Sequence, residues 1–175
     1  MKTLILMRHA KSSWKNTEME DKERPLNKRG KKDAPLMGAV ILEKELVPQM
    51  ILCSSAERAR QTAEAVVEAV KFTGKVEYLD TLYLAEPTEI LEVLRLMPDE
   101  YERLMVIGHN PGLEGLVQML SRSVESMPTA SIAHLYLPVE HWKDMRTDAI
   151  GELVEVLSPR TSKPKETKEK KKKKK

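Results

Sequence analysis

One cysteine, Cys53, stands in 175 residues, so no intramolecular disulfide can staple the chain and a cysteine-rich zinc site is excluded. Aromatic side chains are scarce at 4%, which leaves Leu, Ile, Val, Met and Ala to build any core. Long apolar runs are missing too. The opening segment Met-Lys-Thr-Leu-Ile-Leu-Met-Arg-His carries a run of only four apolar residues, Leu4 to Met7, too short for a secretory signal and far too short to span a bilayer. These absences predict a cytoplasmic protein with no membrane insertion. Overall basicity is also missing, although the net charge of +3 suggests it. Residues 161–175 hold nine lysines against two glutamates, or +7, so residues 1–160 carry −4. An argument for nucleic-acid binding from overall charge therefore fails.

The length suits one domain of about 100–200 residues, and 41% hydrophobic residues suffice to cover one sheet with helices on both faces. Short apolar runs at Thr3–Met7, Met50–Cys53, Val76–Leu79, Leu104–Ile107, Ile132–Leu137 and Leu153–Leu157 read as buried strands. They lack strict alternation, as strands covered on both faces do. Helical patterns fill most of the gaps. Asn27 is placed to cap a helix running towards Leu46, with Pro35 expected to kink or restart it and Asp33 as a second cap. Ser55 is placed to cap a helix over Glu57 to Val70, Pro87 or Thr88 to open another through Leu96, and Pro111 to begin one ending near Leu120. Strands alternating with helices imply a three-layer α/β/α sandwich around a mostly parallel sheet. The domain is expected over 1–160. The lysine-rich segment 161–175 has too little apolar surface to offset chain entropy and is expected to be disordered.

In parallel sheets, ligands bind beyond the carboxyl ends of the strands, where helix N-termini offer free N–H groups. Three such junctions carry unusual residues: Met7-Arg8-His9-Ala10, Ser54-Ser55-Ala56-Glu57-Arg58-Ala59-Arg60-Gln61-Thr62-Ala63, and Gly108-His109-Asn110-Pro111-Gly112. Arg24-Pro25-Leu26-Asn27-Lys28-Arg29-Gly30 opens the first long helix. Neighbouring strands would gather two imidazoles and two or three guanidiniums in one crevice. Phosphoryl transfer calls for that set. Guanidinium forks bind the equatorial oxygens in bidentate fashion, and a neutral imidazole is nucleophilic at pH 7 without a separate base. Nearby guanidiniums favour that neutral form by repelling its proton. No metal or other cofactor is called for, because side chains already supply the cations.

The segment Arg8-His9-Ala10-Lys11-Ser12-Ser13-Trp14, followed by Asp21 and Arg24-Pro25-Leu26, resembles the small SixA-type phosphohistidine phosphatase branch of the histidine phosphatase (phosphoglycerate mutase-like) superfamily. The resemblance covers roughly residues 2–157. It implies His9 as the nucleophile, Arg8 and Arg58 as catalytic phosphate ligands, His109 as the second catalytic histidine, and Arg24 as a further contributor to the phosphate pocket. Two departures stand out. Ala10 replaces the glycine of the broad signature, and the segment that carries a glutamate general acid in larger members has no counterpart; Glu86, in Tyr83-Leu84-Ala85-Glu86, is the one candidate. A sugar alkoxide leaves only with help from an acid. The imidazole of a phosphohistidine leaves easily.

The expected activity is therefore a metal-independent phosphatase acting on phosphohistidine in a protein. A phosphatase of a small phosphorylated metabolite and a non-catalytic phosphate- or polyanion-binding module remain as alternatives. The lysine tail reads either as an inert solvated end or as an arm for weak contact with a polyanion. His134, His141 and Cys53 read as structural or solvent-facing, Arg60 as a surface residue, and Trp14 as a packing residue or part of the pocket mouth.

Overall fold

The computed structural model describes residues 1–148 and 151–162. Six strands and five helices follow in the order β1 (Lys2–Arg8), α1 (Lys28–Glu43), β2 (Met50–Ser54), α2 (Glu57–Val70), β3 (Lys75–Leu79), α3 (Pro87–Arg95), β4 (Arg103–Gly108), α4 (Gly112–Ser121), β5 (Ile132–Leu137), β6 (Glu152–Leu157) and α5 (Pro159–Ser162). They form one sheet in the order β3-β2-β4-β1-β5-β6. The first four of these run parallel, and β5 lies antiparallel to both β1 and β6. Every strand expected from the sequence is present within about a residue at each end.

Alternation along each strand sorts the core into two layers. On one side Leu4, Leu6, Leu52, Leu104 and Val106 pack with Ile90, Leu91 and Leu94 of α3 and Leu113, Leu116 and Leu120 of α4. On the other, Ile5, Met7, Ile51, Cys53, Met105 and Ile107 pack with Met37 and Ile41 of α1 and Ala59, Ala63 and Val66 of α2. The expected sandwich is thus formed, and Cys53 is buried inside it.

Three helix details differ from expectation. Asn27 caps α1 by accepting from the Gly30 amide at 2.9 Å, but no break follows at Pro35. Asp33 pairs instead with Arg29 one turn back, at 3.3 Å. The helix survives its proline because Ala34, Met37, Gly38 and Ile41 are buried along that stretch, and Gly38 lets α1 close against α2, where a Cβ would meet that of Ala69 at 2.6 Å. The cap of α2 falls one residue later than expected, at Ala56, whose amide is taken by Ser54 Oγ at 3.2 Å rather than by Ser55. At the C-terminal boundary, Thr161 and Ser162 still belong to α5; the lysine-rich stretch from 163 lies outside the described residues. Among the described residues no helix is long and apolar enough to cross a membrane.

Candidate active site

Because β2, β4 and β1 are neighbours, their carboxyl ends stand side by side and bring the three unusual junctions together. The His9 amide donates to the Gly108 carbonyl at 3.0 Å, which fixes the β1 and β4 junctions to one another. A cavity of about 140 Å³ opens there, and Arg8, His9, Arg24, Arg58 and His109 all line it. The five residues singled out from the sequence therefore converge. Trp14 and Leu84 stand at the cavity with 68% and 54% of their surfaces exposed, an apolar rim on a cationic site.

Each ring nitrogen can be assigned. His9 Nδ1 lies 2.8 Å from the Ala10 carbonyl, which only accepts, so Nδ1 carries the proton and Nε2 the lone pair. His109 Nε2 lies 2.7 Å from Ser54 Oγ, and its Nδ1 is approached by Arg58 Nη2 at 3.5 Å. A guanidinium only donates, so in this arrangement Nδ1 holds the lone pair and Nε2–H donates to Ser54. The two rings tilt at 52° with centroids 5.1 Å apart, and Tyr83 meets His109 edge-on.

Burial, followed by the Arg58, Arg8 and Arg24 charges, pulls His9 from 6.5 down to about 4 against the opposing bond to Ala10. Burial and then His9 and Arg58 pull His109 to about 3, with Asp21 opposing. Both imidazoles are neutral at pH 7.

Asp21 organises the cations. Its backbone carbonyl and Oδ2 accept from Arg58 Nη1 and Nη2 at 2.7 and 3.0 Å, and its Oδ1 accepts from Arg24 Nε at 3.2 Å. The Tyr83 hydroxyl donates to the same carboxylate. Partial burial acts to raise the Asp21 pKa, but the bonds from Tyr83 and Arg58, the Arg58 charge and the bond from Arg24 prevail and hold it at about 2. Arg24 also donates to Ser12 Oγ at 2.6 Å and stacks against Trp14, with Cζ 3.4 Å from the ring centroid. Arg8 uses Nη1 on the Met127 carbonyl at 3.1 Å.

Helix α2 ties these loops down. Thr62 Oγ1 accepts from the Ala10 amide at 3.0 Å and donates to the Arg58 carbonyl at 2.7 Å, while Gln61 Oε1 accepts from the Leu26 amide at 2.8 Å. Gly30 is required where α1 begins, because a Cβ there would lie 2.1 Å from the Lys11 carbonyl oxygen.

Glu86 is not in the cavity. It caps α3 in reciprocal bonds with Glu89, and no carboxylate is among the residues lining the site. Among the described residues no three His, Cys, Asp or Glu side chains gather as a metal site. Ser54 and Tyr83 were not singled out as site residues by sequence reasoning. Ser54 ends an ordinary-looking strand, and Tyr83 reaches Asp21 across 62 positions of sequence. His134 lies buried in β5, His141 pairs with Asp99 at the surface, and Arg60 lies over the Tyr78 ring.

The pattern defining the histidine phosphatase superfamily (branch 1) matches residues 4–85. An uncharacterized chloroplastic protein of Arabidopsis thaliana is 31% identical over 150 residues, 81% of this chain and 69% of its own length. An uncharacterized protein of Mycobacterium tuberculosis is 33% identical over 151 residues, 79% of this chain and 91% of its own. A Nakamurella structure assigned as phosphohistidine phosphatase SixA superposes with a TM-score of 0.79 at 28% identity, covering 90% of this chain and 96% of that one. The protein histidine phosphatase SixA complexed with tungstate gives 0.79 at 23% identity, covering 92% and 99%, a likeness of fold.

Proposed function

The chain belongs to the SixA-type branch of the histidine phosphatase superfamily, and from that premise we propose that it dephosphorylates phosphohistidine on a protein, with His9 as nucleophile. His9 Nε2 attacks phosphorus in line as the P–N bond to the substrate imidazole breaks. The leaving imidazole takes its proton from solvent. Arg8, Arg24 and Arg58 hold the equatorial oxygens, where preorganised cations are most effective. Water then attacks phosphorus of phospho-His9, releasing inorganic phosphate and returning the neutral imidazole. With substrate bound, His109 supports the same oxygens in its other tautomer, donating through Nδ1–H while Nε2 accepts from Ser54. The Ser54 hydroxyl, able to accept or to donate, accommodates His109 whichever ring nitrogen carries the proton.

One observation carries this reading: a neutral imidazole whose Nε2 lone pair has no hydrogen-bond partner among the described residues sits in a cavity lined by three guanidiniums. The choice of a P–N substrate is supported by the missing acid. Glu86 is engaged at a helix cap, and a carboxyl held at about 2 cannot protonate an alkoxide at pH 7. The test is phosphate release in EDTA from a phosphohistidine protein, from phosphoramidate and from a panel of sugar phosphates, comparing the wild type with His9→Ala. Release abolished in His9→Ala, with P–N substrates preferred, is the expected result. Equal activity in the variant refutes the nucleophile, and preference for a sugar phosphate moves the substrate to a small metabolite.

A further inference from the structure

Beside the catalytic cavity lies a second, larger depression. It has a volume of about 580 Å³ and is lined by Lys15, Lys28, Arg29 and Lys31 over an apolar floor that includes Pro25 and Leu26. The two are separated by a ridge of two chain segments running antiparallel. Ser12 bridges Leu26, the Ser13 amide donates to the Pro25 carbonyl at 2.8 Å, and the Asn27 amide donates to the Lys11 carbonyl at 3.0 Å. Ser12, Trp14 and Arg24 border the catalytic side of this ridge, and Lys15 and Pro25 border the other.

The charge of the groove runs against that of its surroundings. Residues 1–160 carry −4, yet among the described residues four cations and no carboxylate line this groove. Carboxylates of the neighbouring loop do not enter it: Asp21 is held on Arg24 and Arg58, and Glu23 lines a different depression with Lys22. Among the described residues only Arg29 has an acidic partner, Asp33. All four cations are exposed on flexible stems. Such a strip supplies a broad positive potential rather than the fixed geometry a single phosphate demands.

We propose that this groove receives an acidic segment of the phosphorylated partner protein, lying beside the phosphohistidine while that residue occupies the cavity. The assignment rests on the phosphohistidine reading above and adds what would select the partner. A polypeptide fits better than a small anion, because the groove has about four times the volume of the catalytic cavity and offers apolar floor between its charges.

The experiment compares two phosphohistidine peptides, one flanked by Asp and Glu and one by Ser and Gly, on the full chain. At low ionic strength the acidic peptide is expected to have a kcat/KM about tenfold higher, since a complementary field raises encounter rates by 10-fold or more. The advantage should vanish near 0.5 M salt, where screening length falls to roughly 4–5 Å, and in Lys28→Glu/Lys31→Glu. Phosphoramidate, which has no flank, should be turned over equally by wild type and variant, which also shows that the variant is folded. Equal use of the two peptides, or an advantage that persists in the variant, overturns the proposal. So does competition by inorganic polyphosphate without competition by the unphosphorylated acidic peptide. Should the wild type be inert on every P–N substrate, the catalytic reading fails by itself. Direct binding of the unphosphorylated acidic peptide, weakened at least tenfold in Lys28→Glu/Lys31→Glu, then decides the groove alone.

Discussion

A buried neutral histidine beside three guanidiniums should make the fold sensitive to acid in a defined window. His9 titrates at about 6.5 when unfolded and at about 4 when folded. Between those values the unfolded chain binds a proton that the folded chain refuses, so stability falls as pH falls. The gap corresponds to about 3 kcal/mol, fully present above pH 6.5 and gone below pH 4, at 1.36 kcal/mol for each tenfold change. His109 acts in the same direction, as its folded value of about 3 requires. Replacing His9 by glutamine removes its share while keeping a polar side chain of similar reach. Urea unfolding of wild type and His9→Gln at pH 7.5, 6.5, 5.5 and 4.5 should therefore show the wild type losing more stability across the series, with the difference approaching about 3 kcal/mol at the acid end. The His9 ring signal, followed by NMR over the same range, should move only near pH 4. Titration of His9 near 6.5, or parallel stability curves for the two proteins, would refute the claim that burial and Arg58, Arg8 and Arg24 hold the imidazole neutral.

Further expectations concern single residues. Arg58→Lys keeps the charge but loses the fork that grips Asp21, and kcat should fall by about 100-fold in a phosphate-release assay, as for loss of one preorganised donor. Ser54→Ala leaves His109 Nε2 buried without a partner. It should destabilise the protein by about 1–3 kcal/mol by urea titration and slow turnover, with Ser54→Thr restoring part of both. Gly30→Ala drives a methyl into the Lys11 carbonyl and should lower stability by about 1–3 kcal/mol, read as a reduced melting temperature. Leu6→Ala opens a cavity between β1 and α4 and should cost about 2–5 kcal/mol without changing the pH dependence of catalysis.

Much of this arrangement was legible in the chain. The β1, β2 and β4 junctions are visible because each follows an apolar run, and after β2 and β4 a helix starts within a few residues; Arg8, His9, Arg58 and His109 lie at those strand ends. Sheet order was not legible: nothing local states that β4 inserts between β1 and β2, which is what brings His109 against His9. The reversal of β5 was hidden for the same reason. Asp21 carries no local signal beyond its spacing before Arg24, because its grip on Arg58 spans 37 positions. Gln61 and Thr62 carry no local signal of a role. Their function, holding the loops after His9 and Arg24, depends on contacts that only the packed structure creates. Pro35 signals a break because proline weakens a helix locally, whereas burial along α1 overrides that local preference.

The reversed strand also decides where the chain leaves the sheet. Because β5 runs against β1 and β6 runs back, Leu157 pairs with Ile132, which pairs with Met7, two residues before His9. Lys2 lies at the opposite end, paired with Leu137. A linker attached ahead of Lys2 therefore starts a full strand length from the cavity, about 20 Å at 3.3 Å per residue. Strand β6 ends at Leu157 on the edge where the cavity opens, two strand spacings or roughly 10 Å across the sheet from β1. A support joined ahead of Lys2 would leave the pocket facing solution, whereas one joined at Leu157 would stand on the pocket's own side of the sheet.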